Sequence, residues 1–298
     1  MSRPAFTAVS GGAGQDDRLG IALMVATTAV FAGQDAISRH LAGEYNVLMV
    51  VMIRYWFFAA FVVALAVRQS GSVRAAARTD RPVLQAFRGF LLAAEICVMV
   101  SAFTLLGLVE SHAVFAVYPL LVAALSGPLL GERVGWRRWA AIAAGFAGVL
   151  VILAPTGGVV SPLALVPLAS AAMFALYNLL TRMAARTDST ATSFFWTGTV
   201  GAAFMTLIGV WFWEPMSPPD WAWMALLCVT GATGHWLLIR TYAAAEASIV
   251  QPFAYLQLVF ASVLGVVVFA EAIRLNVVIG AAIVIAAGVF TLLRARKT

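Results

Sequence analysis

The sequence predicts an all-α integral membrane protein with ten transmembrane helices, and three observations support this fold class. Of its 298 residues, 62% are hydrophobic and only 11% are charged, whereas soluble globular chains carry about 25% charged residues. Apolar segments of about 20 residues, the length that spans a bilayer as a helix, follow one another along the chain. The two halves of the sequence also resemble each other. A composition this apolar excludes a soluble domain of appreciable size.

Ten apolar segments are each long enough to cross a bilayer at about 1.5 Å of rise per residue. They lack the alternating pattern of barrel strands, so helices are the spanning structure that satisfies their backbone groups. The segments are 19–38, 45–67, 83–106, 112–130, 137–154, 160–181, 191–213, 220–242, 248–270 and 275–293. The residues before the first segment lack a cleavable-signal pattern, so tails are expected over 1–18 and 294–298.

The distribution of basic residues predicts the orientation of these helices. Fifteen of the 19 Lys and Arg residues lie in the two tails and in alternate loops, which places these segments on one side of the membrane. Only Arg39 and Arg274 lie on the other side. Because cytoplasmic loops are enriched in Lys and Arg, both termini are expected in the cytoplasm.

An internal repeat relates the two halves of the chain. Residues 31–39 (FAGQDAISR) align with 174–182 (FALYNLLTR) at an offset of 143. Two further matches at nearly the same offset join 148–153 with 288–293 and Glu132 with Glu271. Each half has five helices, an odd number, so the second half must be inserted upside down.

The repeat therefore predicts two inverted units, 19–154 with helices 1–5 and 160–293 with helices 6–10. Inverted repeats are typical of secondary transporters, which bind substrate near the midplane where the halves meet. Rocking of the halves around that site gives alternating access.

Several motifs in these segments resemble a known family. They are 31–39 with Arg54, Gly131-Glu132 followed by Gly145 and Gly148, 231–236 (GATGHW), 251–257 (QPFAYLQ) and 269–271 (FAE). The sequence resembles the drug/metabolite transporter superfamily in its EamA branch over residues 18 to 294. It looks closest there to the YddG-type exporters of aromatic and other neutral amino acids. Ala270 departs from the pattern, because glycine is usual before that glutamate.

The resemblance implies a monomeric carrier in the bacterial inner membrane, with a central cavity lined by helices from both halves. Polar residues inside spans are costly and are therefore candidates for function. Gln34 and Ser38 share one face of the first helix at i, i+4, and Tyr177 and Thr181 are their repeat counterparts. We expect Gln34, Ser38 and Tyr177 to bind substrate, with hydrogen bonding between helices as the alternative role.

A second set of candidates lies on the fourth, eighth and ninth segments. Pro119 and Pro252 interrupt two of these helices and free backbone carbonyls, a device that lines transporter cavities, although proline kinks are also common. The residues expected at the cavity here are His112, Tyr118, His235, Tyr255 and Gln257.

Two charged residues lie deep within spans at matching depths of roughly 18–20 Å, Glu95 on the third helix and Arg54 on the second. The sequence predicts that they form a buried ion pair that acts as a structural clamp. In the alternative interpretation, Glu95 titrates and couples transport to protons. Asp35 and Arg39 are expected to form another i, i+4 ion pair near the outer end of the first helix.

The function expected from these features is export of small neutral amphiphilic metabolites, above all aromatic amino acids, Met and Thr. An uptake carrier for a nucleoside-like metabolite such as S-adenosylmethionine is the alternative. An intramembrane enzyme or channel is disfavoured, because His40, His112 and His235 have no metal-ligand spacing and no ring of charge is evident. We expect no metal, no cofactor and no nucleic acid; the partners are the substrate and the lipid bilayer.

Overall fold

The computed structural model describes residues 16–70, 72–130, 135–153, 162–245, 250 and 253–295, and all regular structure within these ranges is helical. The helices are α1 (Asp17–Glu44), α2 (Val47–Ser70), α3 (Val73–Ala77), α4 (Pro82–Phe115), α5 (Tyr118–Leu130), α6 (Trp136–Leu153), α7 (Leu165–Ala184), α8 (Thr190–Gly209), α9 (Pro218–Ala244), α10 (Leu256–Phe269) and α11 (Leu275–Ala295). Short 3₁₀ turns precede α7 and follow α8.

The surface of this helical bundle is apolar. Within the described ranges, five helical stretches are long and apolar enough to cross a bilayer, judged by length and composition: Asp17–Glu44, Val47–Arg68, Pro82–Phe115, Pro162–Thr181 and Ala191–Phe212. Large apolar side chains are exposed along α10, including Val263, Val267 and Val268. Exposed apolar surface on this scale requires lipid as its solvent, and the chain is an integral membrane protein.

The chain reverses direction inside α4, at Gly107. The rings of Phe103 and His112 stack with their centres 5.1 Å apart, whereas residues nine apart in a straight helix lie roughly 13 Å apart. Gly107 has φ 82° and ψ 175°, a conformation that glycine adopts without steric cost. A one-residue reversal therefore replaces the loop expected over 106–112.

The fourth expected segment is also broken, at residues Ala116 and Val117. α5 begins directly afterwards, and Pro119 lies in its first turn, where the missing N–H removes no helical hydrogen bond. A turn at Tyr255 precedes α10 at the equivalent place in the second half, 139 residues after Ala116. Pro252 lies outside the described residues.

Most of the extensive helix packing joins the first half of the chain to the second. α1 packs on α9, and α4 packs on α7. The repeat counterpart of α1 is α7, and that of α9 is the first part of α4, so replacing each helix by its counterpart turns one pair into the other. α1 with α10 and α5 with α7 exchange in the same way, while α2 with α8 and α6 with α11 each map onto themselves. This is the pattern of contacts that a two-fold relation between the halves produces.

Polar contacts mark the two ends of the bundle. At one end, the Tyr45 hydroxyl donates to Asp220 Oδ2 (2.7 Å), and Gly107 and Glu271 lie at this end, which we call the Glu271 end. At the opposite end, Gln85 Nε2 donates to Asp188 Oδ2 (2.6 Å), and we call it the Asp188 end.

Ala270, the residue that departs from the family pattern, has a left-handed backbone with φ 53° and ψ 32°. This conformation costs a residue with a Cβ about 1–2 kcal/mol and costs glycine almost nothing. We therefore expect Ala270→Gly to stabilise the protein by about 1 kcal/mol, measured as a higher midpoint of thermal unfolding in detergent. Ala60→Gly, at an exposed position within α2, should instead destabilise it by about 1 kcal/mol. A lower midpoint for Ala270→Gly would contradict the assignment.

Candidate substrate site between the two halves

A cavity of about 230 Å³ lies where the two halves meet. Helices α1, α2, α4 and α5 supply its walls from the first half, and α7 and α9 with residues 254 and 257 supply them from the second. Five of the eight residues expected to bind substrate line this cavity, together with both deep charged residues. These seven are Gln34, Arg54, Glu95, His112, Tyr118, His235 and Gln257.

Arg54 presents its guanidinium to this cavity without a protein partner. No hydrogen bond or ion pair joins it to any residue in the part of the chain that the structure describes. Gly231 leaves room beside it, since a Cβ there would lie 3.5 Å from Arg54 Nε and 3.2 Å from Gln34 Oε1. Gln34 Oε1 is buried and also lacks a hydrogen-bond donor. An unused cationic donor and an unused acceptor therefore lie next to each other on the cavity wall.

Glu95 does not form the expected ion pair with Arg54. Its Oε1 instead accepts a hydrogen bond from Ser170 Oγ on α7 (2.6 Å), and the side chain is 4% exposed. The nitrogens of Arg54 lie more than 4 Å from the carboxylate, since no ion pair joins these two described residues. The clamp interpretation is therefore wrong, and the two charges both remain on the cavity wall.

Aromatic rings form two clusters on the cavity. In the first, the His235 ring stacks on Phe58 (5.7 Å between centres) and meets Phe31 edge-on (5.4 Å). In the second, Phe174 packs against Phe115 (5.4 Å) and Tyr118 (5.0 Å). Faces and edges of such rings bind flat apolar rings of a ligand by stacking.

Smaller cavities extend the site at both clusters. One, of about 20 Å³, shares Arg54 and His235 with the main cavity. Another, of about 40 Å³, shares His112, Tyr118 and Gln257 with it. The space between the halves is therefore extended at both aromatic clusters.

Asp35 ties three helices together at the side of the cavity nearest the Glu271 end. Its Oδ2 accepts a hydrogen bond from Gln257 Nε2 (2.9 Å) and lies 3.0 Å from His112 Nε2. The other ring nitrogen of His112, Nδ1, lies 3.0 Å from the carbonyl oxygen of Leu108. These contacts join α1, α4 and α10 and close the cavity there.

Glu271 adds a second layer of contacts beyond Asp35. Its carboxylate accepts hydrogen bonds from the backbone N–H groups of Leu108 (2.8 Å) and Val109 (2.9 Å), the first residues after the Gly107 reversal. It also forms an ion pair with Arg39, whose guanidinium lies 4.0 Å from the centre of the Phe269 ring. The expected Asp35–Arg39 pair is therefore not formed, because each residue has a partner on another helix.

Three residues expected to bind substrate have other surroundings. Ser38 Oγ donates to the Gln34 carbonyl on its own helix (2.9 Å) and is buried away from the cavity. The Tyr177 ring lies beneath the guanidinium of Arg88 (5.2 Å) and does not line the main cavity. Tyr255 lines only the smaller cavity at His112, and its hydroxyl is buried without a partner.

The repeat contained a signal for one residue that sequence reasoning missed. Asn178, the counterpart of Asp35, also lines the cavity, and its Nδ2 donates to the carbonyl of Phe174 (2.7 Å). Glu132, the repeat partner of Glu271, lies outside the described residues. Within the described ranges, no group of three His, Cys, Asp or Glu side chains is arranged to hold a metal ion.

Comparison with known proteins gives one family and several relatives. Residues 18–154 and 162–293 each match the EamA-like transporter family. The chain is 25% identical over 267 residues to the S-adenosylmethionine uptake transporter of Rickettsia prowazekii, covering 89% of each protein. It is 25% identical over 264 residues to the riboflavin transporter of Vibrio cholerae, covering 88% of this chain and 89% of that one.

A riboflavin transporter of Rhizobium johnstonii is 30% identical over 221 residues, covering 72% of each protein. A crystal structure of a protein that is 21% identical superposes with a TM-score of 0.61 and covers 94% of this chain and 97% of that chain. At that identity the superposition shows a shared fold.

Proposed function

The chain belongs to the EamA-like transporter family, and we propose that its substrate is a nucleoside-like metabolite carrying both a carboxylate and a cationic group. S-adenosylmethionine is the member of this class that the relatives indicate. The observation that carries the proposal is the unpartnered guanidinium of Arg54 on the cavity wall. The expectation of amino-acid export finds no support in the names of the relatives, which record S-adenosylmethionine and riboflavin.

An unpaired charge within a membrane span is costly, and such residues normally pair with one another or face a substrate pathway. Arg54 faces the cavity and forms no ion pair or hydrogen bond with another described residue, while the Glu95 carboxylate lies on the same cavity wall. A planar guanidinium matches the two oxygens of a carboxylate. The free Oε1 of Gln34 beside it accepts a hydrogen bond, which suits an adjacent amino group. The two side chains together fit the α-amino-carboxylate of the substrate.

The remaining groups on the cavity suit the rest of the same molecule. Glu95 lines the cavity with a carboxylate, which favours a cationic ammonium or sulfonium group. The aromatic clusters at His235 and Phe174 offer faces for an adenine ring. S-adenosylmethionine carries a carboxylate, an ammonium, a sulfonium and an adenine, so each feature of the cavity has a counterpart.

Two rival substrates leave part of this cavity unused. Riboflavin fills the aromatic clusters, but it carries no carboxylate to pair with Arg54. A free amino acid such as phenylalanine pairs with Arg54 and Glu95, but it spans only part of the extended space. Riboflavin remains the second candidate, because the relatives from Vibrio cholerae and Rhizobium johnstonii carry that name.

We further propose that the chain acts as a monomer of ten spans in a bacterial inner membrane, with both termini in the cytoplasm. The exchange of packing pairs between the halves supports the inverted repeat, and the distribution of basic residues supports the orientation. The Glu271 end then faces away from the cytoplasm. Rocking of the halves around the cavity exposes it to each side in turn.

The test is exchange in liposomes. Purified protein is reconstituted with unlabelled substrate inside, and entry of labelled S-adenosylmethionine, riboflavin and phenylalanine is followed separately. We expect S-adenosylmethionine to exchange well above protein-free liposomes and above both rivals. Exchange of riboflavin alone would contradict the role given to Arg54, and exchange of phenylalanine alone would restore the amino-acid carrier.

A further inference from the structure

His112 lies between two hydrogen-bond acceptors. Its Nδ1 is 3.0 Å from the Leu108 carbonyl oxygen, which only accepts, so Nδ1 carries a hydrogen. A neutral imidazole with that hydrogen presents a bare lone pair at Nε2, which lies 3.0 Å from Asp35 Oδ2. An ionised carboxylate also only accepts. The contact is therefore attractive only when one more proton is present, on Nε2 or on Oδ2.

From this geometry we infer that Asp35 and His112 together bind one proton, and that its binding and release couple transport to proton movement. The proton has two placements, an imidazolium beside a carboxylate or a neutral imidazole beside a carboxylic acid. Both carry the same total charge, and both complete the contact between α1 and α4. The inference concerns the carrier and holds for any of the candidate substrates.

The surroundings leave the extra proton with this pair. Gln257 Nε2 donates to the same Oδ2 and supplies no acceptor there. The nearest charges on the side of the Glu271 end, Arg39 and Glu271, neutralise each other in an ion pair. On the cavity side, the ionisable groups that face Asp35 and His112 are Glu95, Arg54, Tyr118 and His235 in the main cavity and Tyr255 in the smaller one.

Loss of the proton weakens the closure of the Glu271 end. Two facing lone pairs at 3.0 Å repel, and His112 is only 4% exposed, so water does not screen them. Separation of α1 from α4 relieves this repulsion and opens the cavity towards that end. The proton leaves through the cavity to the opposite side while the Glu271 end is closed, and reclosure takes up another from the side of that end, so one proton crosses the membrane in each cycle.

The first test needs no substrate, because the chain has only three histidines, at 40, 112 and 235. Protein labelled with ¹⁵N-histidine in lipid nanodiscs is titrated by NMR, and His40→Gln and His235→Gln identify the His112 signals. We expect His112 to hold its Nδ1 proton and to lose one proton from the pair in a single step as pH rises. Asp35→Asn should shift that step. A step unchanged in Asp35→Asn, or Nε2 bare beside an ionised Asp35 at every pH, overturns the inference.

The second test measures coupling in liposomes with S-adenosylmethionine. We expect a pH gradient to drive its accumulation, and the ratio of driven accumulation to exchange to fall at least tenfold in Asp35→Asn. His40→Gln is the matched control, because His40 forms a similar contact with Asp220 (3.3 Å) at the same end but is far more exposed. Accumulation by the unaltered protein that ignores the gradient overturns the inference. If S-adenosylmethionine does not move at all, the proposed substrate is wrong, and the NMR titration alone decides on the proton site.

Discussion

Replacement of Arg54 with glutamine is expected to weaken binding of S-adenosylmethionine by about 30- to 150-fold. A charged hydrogen bond contributes about 2–3 kcal/mol, and each 1.4 kcal/mol is a factor of ten in affinity. Because Arg54 makes no contact with another charged side chain among the described residues, the loss falls on the substrate rather than on the fold. Isothermal titration of the purified protein measures it directly.

A thermodynamic cycle shows whether the lost contact is to the carboxylate. The unaltered protein should bind decarboxylated S-adenosylmethionine as weakly as Arg54→Gln binds the intact molecule, and the two changes together should cost no more than either alone. Arg274→Gln is the matched control, because Arg274 is an arginine at an exposed ion pair with Glu110, where the contribution is small. Additive losses in the cycle would show that Arg54 contacts another part of the ligand.

Sequence reasoning placed Arg54 and Glu95 at matching depths, and it wrongly predicted that they pair with each other. Depth follows from counting residues along a helix, and both side chains do line one cavity. Their direction around the helix axis depends on how neighbouring helices are rotated, which counting does not give. In the structure Ser170 on α7 donates a hydrogen bond to the Glu95 carboxylate. Nothing near Glu95 in the sequence indicates that partner.

The same limitation applies to Asp35 and Arg39. Spacing of four residues allows a pair on one helix face, but such a pair is worth only about 0.2–0.5 kcal/mol. Partners on other helices replace it, and these lie 77 residues from Asp35, at His112, and 222 residues from it, at Gln257. Long-range partners of this kind are set by tertiary packing, which periodicity and spacing do not contain.

The internal repeat was the most informative pattern in the sequence. It drew attention to Glu271, which the structure places at the Gly107 reversal, and it pairs Asp35 with Asn178 on the cavity wall. The family pattern also marked Ala270 as unusual, and this residue has the left-handed backbone that glycine normally fills. The departure at Ala270 thus located a strained position that apolar periodicity alone did not.

Replacement of Glu271 with alanine is expected to destabilise the protein by about 2–3 kcal/mol, the cost of leaving partly buried hydrogen-bond donors without an acceptor. The carboxylate accepts from Leu108 N and Val109 N at the start of a short helical segment, where a negative charge also suits the helix dipole. Its loss leaves these two N–H groups and the Arg39 guanidinium unpaired. Thermal unfolding in detergent measures the change, and Glu271→Gln should retain part of the stability through its remaining oxygen.

A second variant separates the capping role of Glu271 from general disruption. A Cβ at Gly107 would lie 2.6 Å from Glu271 Oε1, so Gly107→Ala displaces the carboxylate in addition to straining a backbone with φ 82°. In the Glu271→Ala background, Gly107→Ala should cost only the backbone strain of about 1–3 kcal/mol. Glu110→Ala removes a glutamate from an exposed ion pair nearby and should change stability by less than about 1 kcal/mol. If Glu271→Ala unfolds at the temperature of the unaltered protein, the carboxylate does not hold the reversal, and closure of the Glu271 end depends on the Asp35 contacts alone.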